Sequence, residues 1–182
     1  MEIELRARVQ NLSLLEEKIK SLEGVEEKKS EERQTDIYMK HENDETRKMI
    51  IRIRKKYNKE QAILTFKGSA PKNQEDIAWE DFDTAIENPD NLERLLINNG
   101  YTYVCLIDKV RQSFQYKEFE INIDNVRDLG IFIEIEKNAN ENEIQNVKNE
   151  ITNLLNQLGI QNDDLITKGY VPLMIELSQK NK

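Results

Sequence analysis

Cysteine and histidine are almost absent: 182 residues contain one of each, Cys105 and His41. A lone cysteine excludes an internal disulfide framework, and zinc centres built on several Cys or His ligands are nearly excluded with it. Any metal is then expected to be hard and oxygen-bound, as magnesium and manganese are. Only three prolines and six glycines occur, and no low-complexity linker separates one part of the chain from another. No run approaches the roughly 18 apolar residues of a membrane span, and no apolar leader precedes the first patterned segment. A cytoplasmic protein without a membrane partner is expected. A basic excess is also missing, since 27 Lys and Arg face 35 Asp and Glu for a net charge of -8. That disfavours a protein that coats nucleic acid. The length fits one domain, drawn as residues 1–178 with a polar tail at 179–182.

What the sequence does have is alternation. Glu2-Ile3-Glu4-Leu5-Arg6-Ala7-Arg8-Val9 changes character at every step, which is the pattern of a half-buried strand. Successive side chains point to opposite faces, so Glu2, Glu4, Arg6 and Arg8 share one face and Ile3, Leu5, Ala7 and Val9 the other. The charged face reads equally as a solvated surface or as the wall of a site for a metal beside an anion. Alternation returns at Met49–Tyr57 (Arg52, Arg54), Gln61–Gly68 (Thr65, Lys67), Tyr101–Tyr116 (Lys109, Arg111), Lys117–Val126 (Glu120, Asp124) and Ile131–Lys137 (Glu134, Glu136). A loosely patterned strand is expected at 35–38, and another at 76–85, where the facing of Glu80 stays open. Three helices are expected. Ser13-Leu14-Leu15-Glu16 reads as a capping box, Asn88-Pro89 as a helix start, and Asn140 as the cap of a long helix striped by Ile144, Val147, Ile151, Leu154, Leu155 and Leu158. Residues 163–167 read as a short helical turn and Tyr170–Leu177 as a final apolar segment.

Each strand alone has an ordinary explanation in a sheet wetted on one side. Together they concentrate Arg and Lys with carboxylates on one face. The fold expected is α+β: a closed, eight-stranded antiparallel barrel whose interior is a polar, charged tunnel, with the apolar faces turned outward beneath helices. Clustered guanidinium groups repel unless an anion lies among them, and a polyphosphate accepts their forks bidentately. Carboxylates cannot touch phosphate directly, so their presence implies a divalent cation between acid and phosphoryl oxygen.

On these residues the chain resembles the CYTH superfamily, the class IV adenylyl cyclases and thiamine triphosphatases also called triphosphate tunnel metalloenzymes. Glu2-Ile3-Glu4-Leu5-Arg6 is similar to the family's Glu-x-Glu-x-Lys signature. Asp36-Ile37-Tyr38, Arg52-Ile53-Arg54, Thr65-Phe66-Lys67-Gly68, Asp108-Lys109-Val110-Arg111, Ile123-Asp124 and Gly130-Ile131-Phe132-Ile133-Glu134-Ile135-Glu136 follow in the family's order. The resemblance implies Mg2+ or Mn2+ on Glu2, Glu4, Glu134 and Glu136. It also implies triphosphate contacts from Arg6, Arg52, Arg54, Lys67, Lys109 and Arg111, with Asp124 near metal or substrate. Glu4, Lys67 and Lys109 are the candidates for the chemical step. The substrate implied is a small triphosphate: ATP, tripolyphosphate or thiamine triphosphate. A homodimer is implied by the resemblance alone. Two departures stand out: Arg6 replaces the usual lysine, and Lys168-Gly169-Tyr170 stands where Ser-Tyr is common, which makes core tyrosine the simpler reading of Tyr170. Hydrolysis of the terminal phosphate is the leading expectation and cyclisation of ATP the alternative. A non-catalytic polyphosphate binder would have little use for the carboxylates.

Overall fold

A sheet built from alternating sequence has two unlike faces, and the helices are distributed according to which face each can cover. The computed structural model describes residues 1–44, 50–57, 59–67, 78–79 and 81–180. Ten strands, β1 (Glu2–Arg8), β2 (Glu26–His41), β3 (Ile51–Lys56), β4 (Ala62–Lys67), β5 (Ala78–Trp79), β6 (Asp81–Ile86), β7 (Tyr101–Tyr116), β8 (Phe119–Val126), β9 (Gly130–Asn138) and β10 (Leu165–Ile166), form one antiparallel sheet. Four α-helices accompany it: α1 (Leu12–Lys20), α2 (Pro89–Asn98), α3 (Ile144–Gln157) and α4 (Tyr170–Lys180). The sheet's path runs β10-β1-β9-β8-β7-β2-β3-β4-β6, and β5 pairs with β1 off that path. The architecture is therefore α+β with an antiparallel sheet, in ten strands where eight were expected, and the path does not itself return to its start. None of the described helices is long and apolar enough to cross a membrane.

The apolar face packs as the alternation requires. Ile3, Ala7, Ile121, Ile123, Ile133 and Ile135 from three neighbouring strands meet Leu15 and Ile19 of α1 and Ile144, Val147, Ile151, Leu154 and Leu155 of α3. Each fully buried Ile or Leu contributes about 1.5–3 kcal/mol relative to exposure, so this stripe is what holds α3 down. Helix α3 ends at Gln157 with Leu158 as its cap, and the next residue, Gly159, takes a φ of +87° that glycine adopts at little cost. Farther round the sheet, α2 lays Leu92 and Leu96 on Ile37, Met39, Ile51 and Ile53.

Helix α4 does the opposite and corrects the expectation that every helix lies outside. It sits on the same sheet face as the charges, where Tyr170, Val171, Leu173 and Met174 cover Tyr38, Ile107, Val126 and Phe132. The reason is local: at this end the face runs out of charge, and an apolar patch left open to water would be costly. The apolar segment of 170–177 is thus a helix, and it continues through Lys180, into the stretch read as a frayed tail.

Smaller departures have equally local causes. Helix α1 is capped by Asn11, whose side chain accepts from the Leu14 amide at 3.0 Å, rather than by Ser13. Asn88 caps α2 as expected, with Pro89 in its first turn. Asn140 opens a 3-10 turn, Glu141–Glu143, that leads into α3, and its amide donates to the Glu143 carboxylate at 2.9 Å. At 162–164 a 3-10 turn is present, followed by β10. The strand expected at 35–38 lies within the 16-residue β2, whose last residue is His41. Gly68, Pro71, Asn73, Glu80 and the last two residues of the tail lie outside the described residues, as does the side chain of Lys67.

Candidate functional site

Register carries the charged face from strand to strand. Opposite Glu4 and Arg6 on β1 stand Glu136 and Glu134 on β9; opposite these stand Glu120 and Asn122 on β8. Asp124 pairs with Arg111 on β7, Lys109 with Gln34 on β2, and Asp36 and Tyr38 with Arg54 and Arg52 on β3. Arg52 in turn faces Thr65 on β4. Since cross-strand partners share a face, one continuous surface collects nearly every residue singled out in the sequence.

Its centre is a chain of buried ion pairs. Arg6 bridges Glu4 and Glu134, with its Nε donating to Glu134 at 2.6 Å and its Nη1 to the Lys168 carbonyl at 3.1 Å. Arg111 reaches the other oxygen of Glu134 and grips Asp124 with two bonds of 2.7 and 2.6 Å. Asp124, with 0% of its surface exposed, also accepts from Lys109 Nζ at 2.7 Å and from the Tyr170 hydroxyl at 2.9 Å. The Arg6 guanidinium lies 4.2 Å from the centre of the Tyr170 ring. Beside this chain Arg54 takes Asp36 bidentately, both bonds 2.7 Å, and Arg52 donates to Thr65 at 2.8 Å.

Burial and neighbours set the protonation states together. Burial alone would raise the carboxyl of Glu134, but Arg6 and Arg111 outweigh it and hold Glu134 well below the usual range. Asp124 is lowered against its burial by Lys109 and Arg111, and Asp36 is brought to about 2, chiefly by Arg54, against the same opposition. Burial, with Arg111 beside it, lowers Lys109 below an ordinary lysine despite its contact with Asp124. Tyr170 is pushed well up by burial and by Glu134 and Asp124, so its phenol stays protonated and donates. An unpaired charge this deep would be costly, and the chain stands because three cations meet three carboxylates.

Past Glu4 the balance tips. Glu2, Glu4 and Glu136 each present a carboxylate oxygen within 4.8 Å of the others. Burial first, then Glu2, Glu4 and Glu120, raise Glu136 well above an ordinary carboxylic acid. Like charges gathered at this spacing fit a hard divalent cation, and an all-oxygen donor set is what magnesium or manganese takes. Glu134 is engaged by Arg6 and Arg111 rather than grouped with these three.

The remaining expected residues fall as follows. Lys67 ends β4 two positions after Thr65 and pairs with Asp81 on β6. Arg8 is exposed at the rim, donates to the Leu129 carbonyl at 3.0 Å and stacks over Phe132. Tyr170 is more than the core residue expected, because its hydroxyl and ring contact Asp124 and Arg6. Gln34 and Glu32 were not foreseen. Their signal is the period-two series Glu32, Gln34, Asp36, Tyr38, obscured because the opposite face carries polar Arg33 and Thr35 instead of aliphatic residues.

The CYTH domain family model matches residues 1–170. A Methanocaldococcus jannaschii protein described as a candidate adenylate cyclase is 27% identical over 175 residues, covering 95% of this chain and 98% of its own. A Pyrococcus horikoshii structure shares 27% identity with a TM-score of 0.80, over 97% of this chain and 99% of the other. A Hippeastrum protein described as a candidate adenylyl cyclase with a dominant triphosphatase activity shares the fold at a TM-score of 0.64 and 17% identity, over 93% and 91% of the two chains.

Proposed function

Because the chain belongs to the CYTH domain family, we propose that it is a divalent-metal-dependent triphosphatase that hydrolyses the terminal phosphate of a nucleoside, inorganic or thiamine triphosphate. One observation carries this reading: a three-carboxylate group at Glu2, Glu4 and Glu136 adjoins, on one sheet face, the cations Arg6, Arg111, Lys109, Arg54 and Arg52. Lys67 joins that row by its place on β4. The same reading closes the sheet into an eight-stranded tunnel. It takes β5 and β6 as one interrupted strand, since β5 pairs β1, β6 pairs β4, and a single position separates them in sequence.

Glu2, Glu4 and Glu136 would hold the ion, joined by Glu134 once its guanidinium partners turn to substrate. When bound, magnesium or manganese supplies charge neutralisation at phosphoryl oxygens. The chain's own residues bind and orient the triphosphate. Phosphate oxygens offer Arg6 and Arg111 the same forked acceptor geometry as the carboxylates they hold, so binding exchanges one set of anionic partners for another. Arg54 and Lys109, anchored by Asp36 and Asp124, keep their charge aimed at the developing negative charge without reorganising. Arg6, which cannot release a proton, serves as a clamp and not as an acid or base.

The candidate adenylate cyclase of M. jannaschii favours a second reading, class IV cyclisation of ATP to cyclic AMP and pyrophosphate on the same surface. Incubation with ATP, tripolyphosphate and thiamine triphosphate, each with magnesium or manganese, separates the two. Orthophosphate release supports the hydrolase; cyclic AMP with pyrophosphate would overturn it.

A further inference from the structure

Gln34 is a buried amide on the charged face whose oxygen is left without a hydrogen-bond donor among the described residues. It is 2% exposed and lies between Glu32 and Asp36 on β2, opposite Lys109 on β7 and Lys56 on β3. Its Nε2 donates to Glu32 at 2.6 Å, and among the described residues nothing donates to its Oε1. The Glu32 contact fixes which way the amide faces, because a flipped amide would set two acceptor oxygens against each other. Oε1 is therefore turned away from Glu32, on the strand face where Gln34 pairs across to Lys109. Buried polar atoms without a partner are rare, and one lying in a binding surface marks a place for a ligand group.

The chemistry of that group is constrained. Oε1 only accepts, and ionised phosphate oxygens only accept, so the triphosphate itself cannot satisfy it. Lys109 and Arg54 are held by Asp124 and Asp36, and no donor of theirs reaches Oε1. The group required is a donor that arrives alongside the triphosphate and is small enough for a site enclosed by β2, β3 and β7. Water meets both conditions. Resting on the triphosphatase reading, we infer that Gln34 Oε1 accepts a hydrogen bond from the attacking water and orients its lone pair toward the terminal phosphorus. The water oxygen forms the new bond to that phosphorus, and the bond from phosphorus to the bridging oxygen breaks with its electron pair left on the diphosphate. Both water protons leave with the orthophosphate as dihydrogen phosphate.

The test is a comparison of wild type with Gln34→Leu and Gln34→Met, which preserve bulk and remove the acceptor. Rates are measured with tripolyphosphate and saturating magnesium, and affinity with non-hydrolysable imidotriphosphate. Loss of nucleophile orientation should lower kcat about 100-fold while KM and imidotriphosphate affinity stay within about threefold of wild type. A kcat retained in both variants overturns the inference and leaves the triphosphatase reading intact. A raised KM with kcat retained makes Gln34 a substrate contact, and a kcat restored by excess metal makes it a cation ligand; either outcome overturns it. Loss of imidotriphosphate affinity together with kcat makes the role structural and overturns it as well. Absence of orthophosphate from wild type would bring down both readings.

Discussion

Replacing Asp124 with asparagine keeps the side-chain shape and removes one charge from the centre of the ion-pair chain. Asp124 accepts four hydrogen bonds, from Lys109, Tyr170 and twice from Arg111. An amide can accept at only one of its two ends, so bonds are lost and two buried cations lose a shared counter-charge. Breaking a buried pair from one side costs about 3–5 kcal/mol. The lower figure applies here, because Glu134 still holds Arg111 and because Lys109, already lowered by burial, can shed its proton. A loss of about 3 kcal/mol corresponds to a fall in Tm of about 6–12 °C for a chain of this size. Urea denaturation at neutral pH and low salt measures it without adding screening ions. Tripolyphosphate with chelator present should then stabilise D124N more than wild type, since its oxygens replace the missing carboxylate; at about 100 times Kd that gain approaches 2.7 kcal/mol. A loss under about 0.5 kcal/mol would refute the reasoning, because it would mean the centre of the site does not depend on charge balance.

Three further outcomes follow from the same contacts. Asp36 is depressed from 3.8 to about 2, so its contribution to stability is present above the unfolded pKa and is lost as pH falls through the folded value. Asp36 should supply about 2 kcal/mol of the decline in wild-type stability between pH 4 and 2, beside the shares of Glu134 and Asp124, and Asp36→Asn should make that limb shallower by about that amount; an unchanged limb would show that Asp36 adds nothing to the acid sensitivity. Tyr170→Phe removes the donor to Asp124 and keeps the ring beneath Arg6, so a loss of about 1 kcal/mol is expected in the same denaturation assay, and none would mean that bond is not made in solution. Glu4→Gln should abolish metal-dependent turnover while the circular dichroism spectrum of the fold is retained; surviving activity would remove Glu4 from the cation's ligands.

How much of this was legible in the sequence depended on contrast between the two faces of each strand. On β1 and β9 aliphatic residues alternate with charges, so the strands and the shared face of Glu2, Glu4, Glu134 and Glu136 could be read directly. The meeting of Glu4 with Glu136 could not, because it depends on register between strands far apart in sequence. The first part of strand β2 carries no such contrast: up to Thr35 its outward positions are polar, so the period of two brings no change in hydropathy before Ile37 and Met39. The segment that became α4 was recognised as apolar, but which face it covers follows from where the charges end on β2, β7, β8 and β9, a property of the assembled sheet. Likewise the division of carboxylates, with Glu136 beside Glu2 and Glu4 and Glu134 held by two guanidiniums, is decided by side-chain reach across strands and leaves no trace in spacing.

The central claim is that water attacks the terminal phosphorus of a triphosphate at this face in a metal-dependent reaction. Turnover of ATP in oxygen-18 water, with products separated by mass, tests it most directly. The account predicts label in orthophosphate and none in the diphosphate product, with all turnover lost when a chelator removes the metal. Unlabelled cyclic AMP and pyrophosphate, or labelled orthophosphate that persists in chelator, would contradict it.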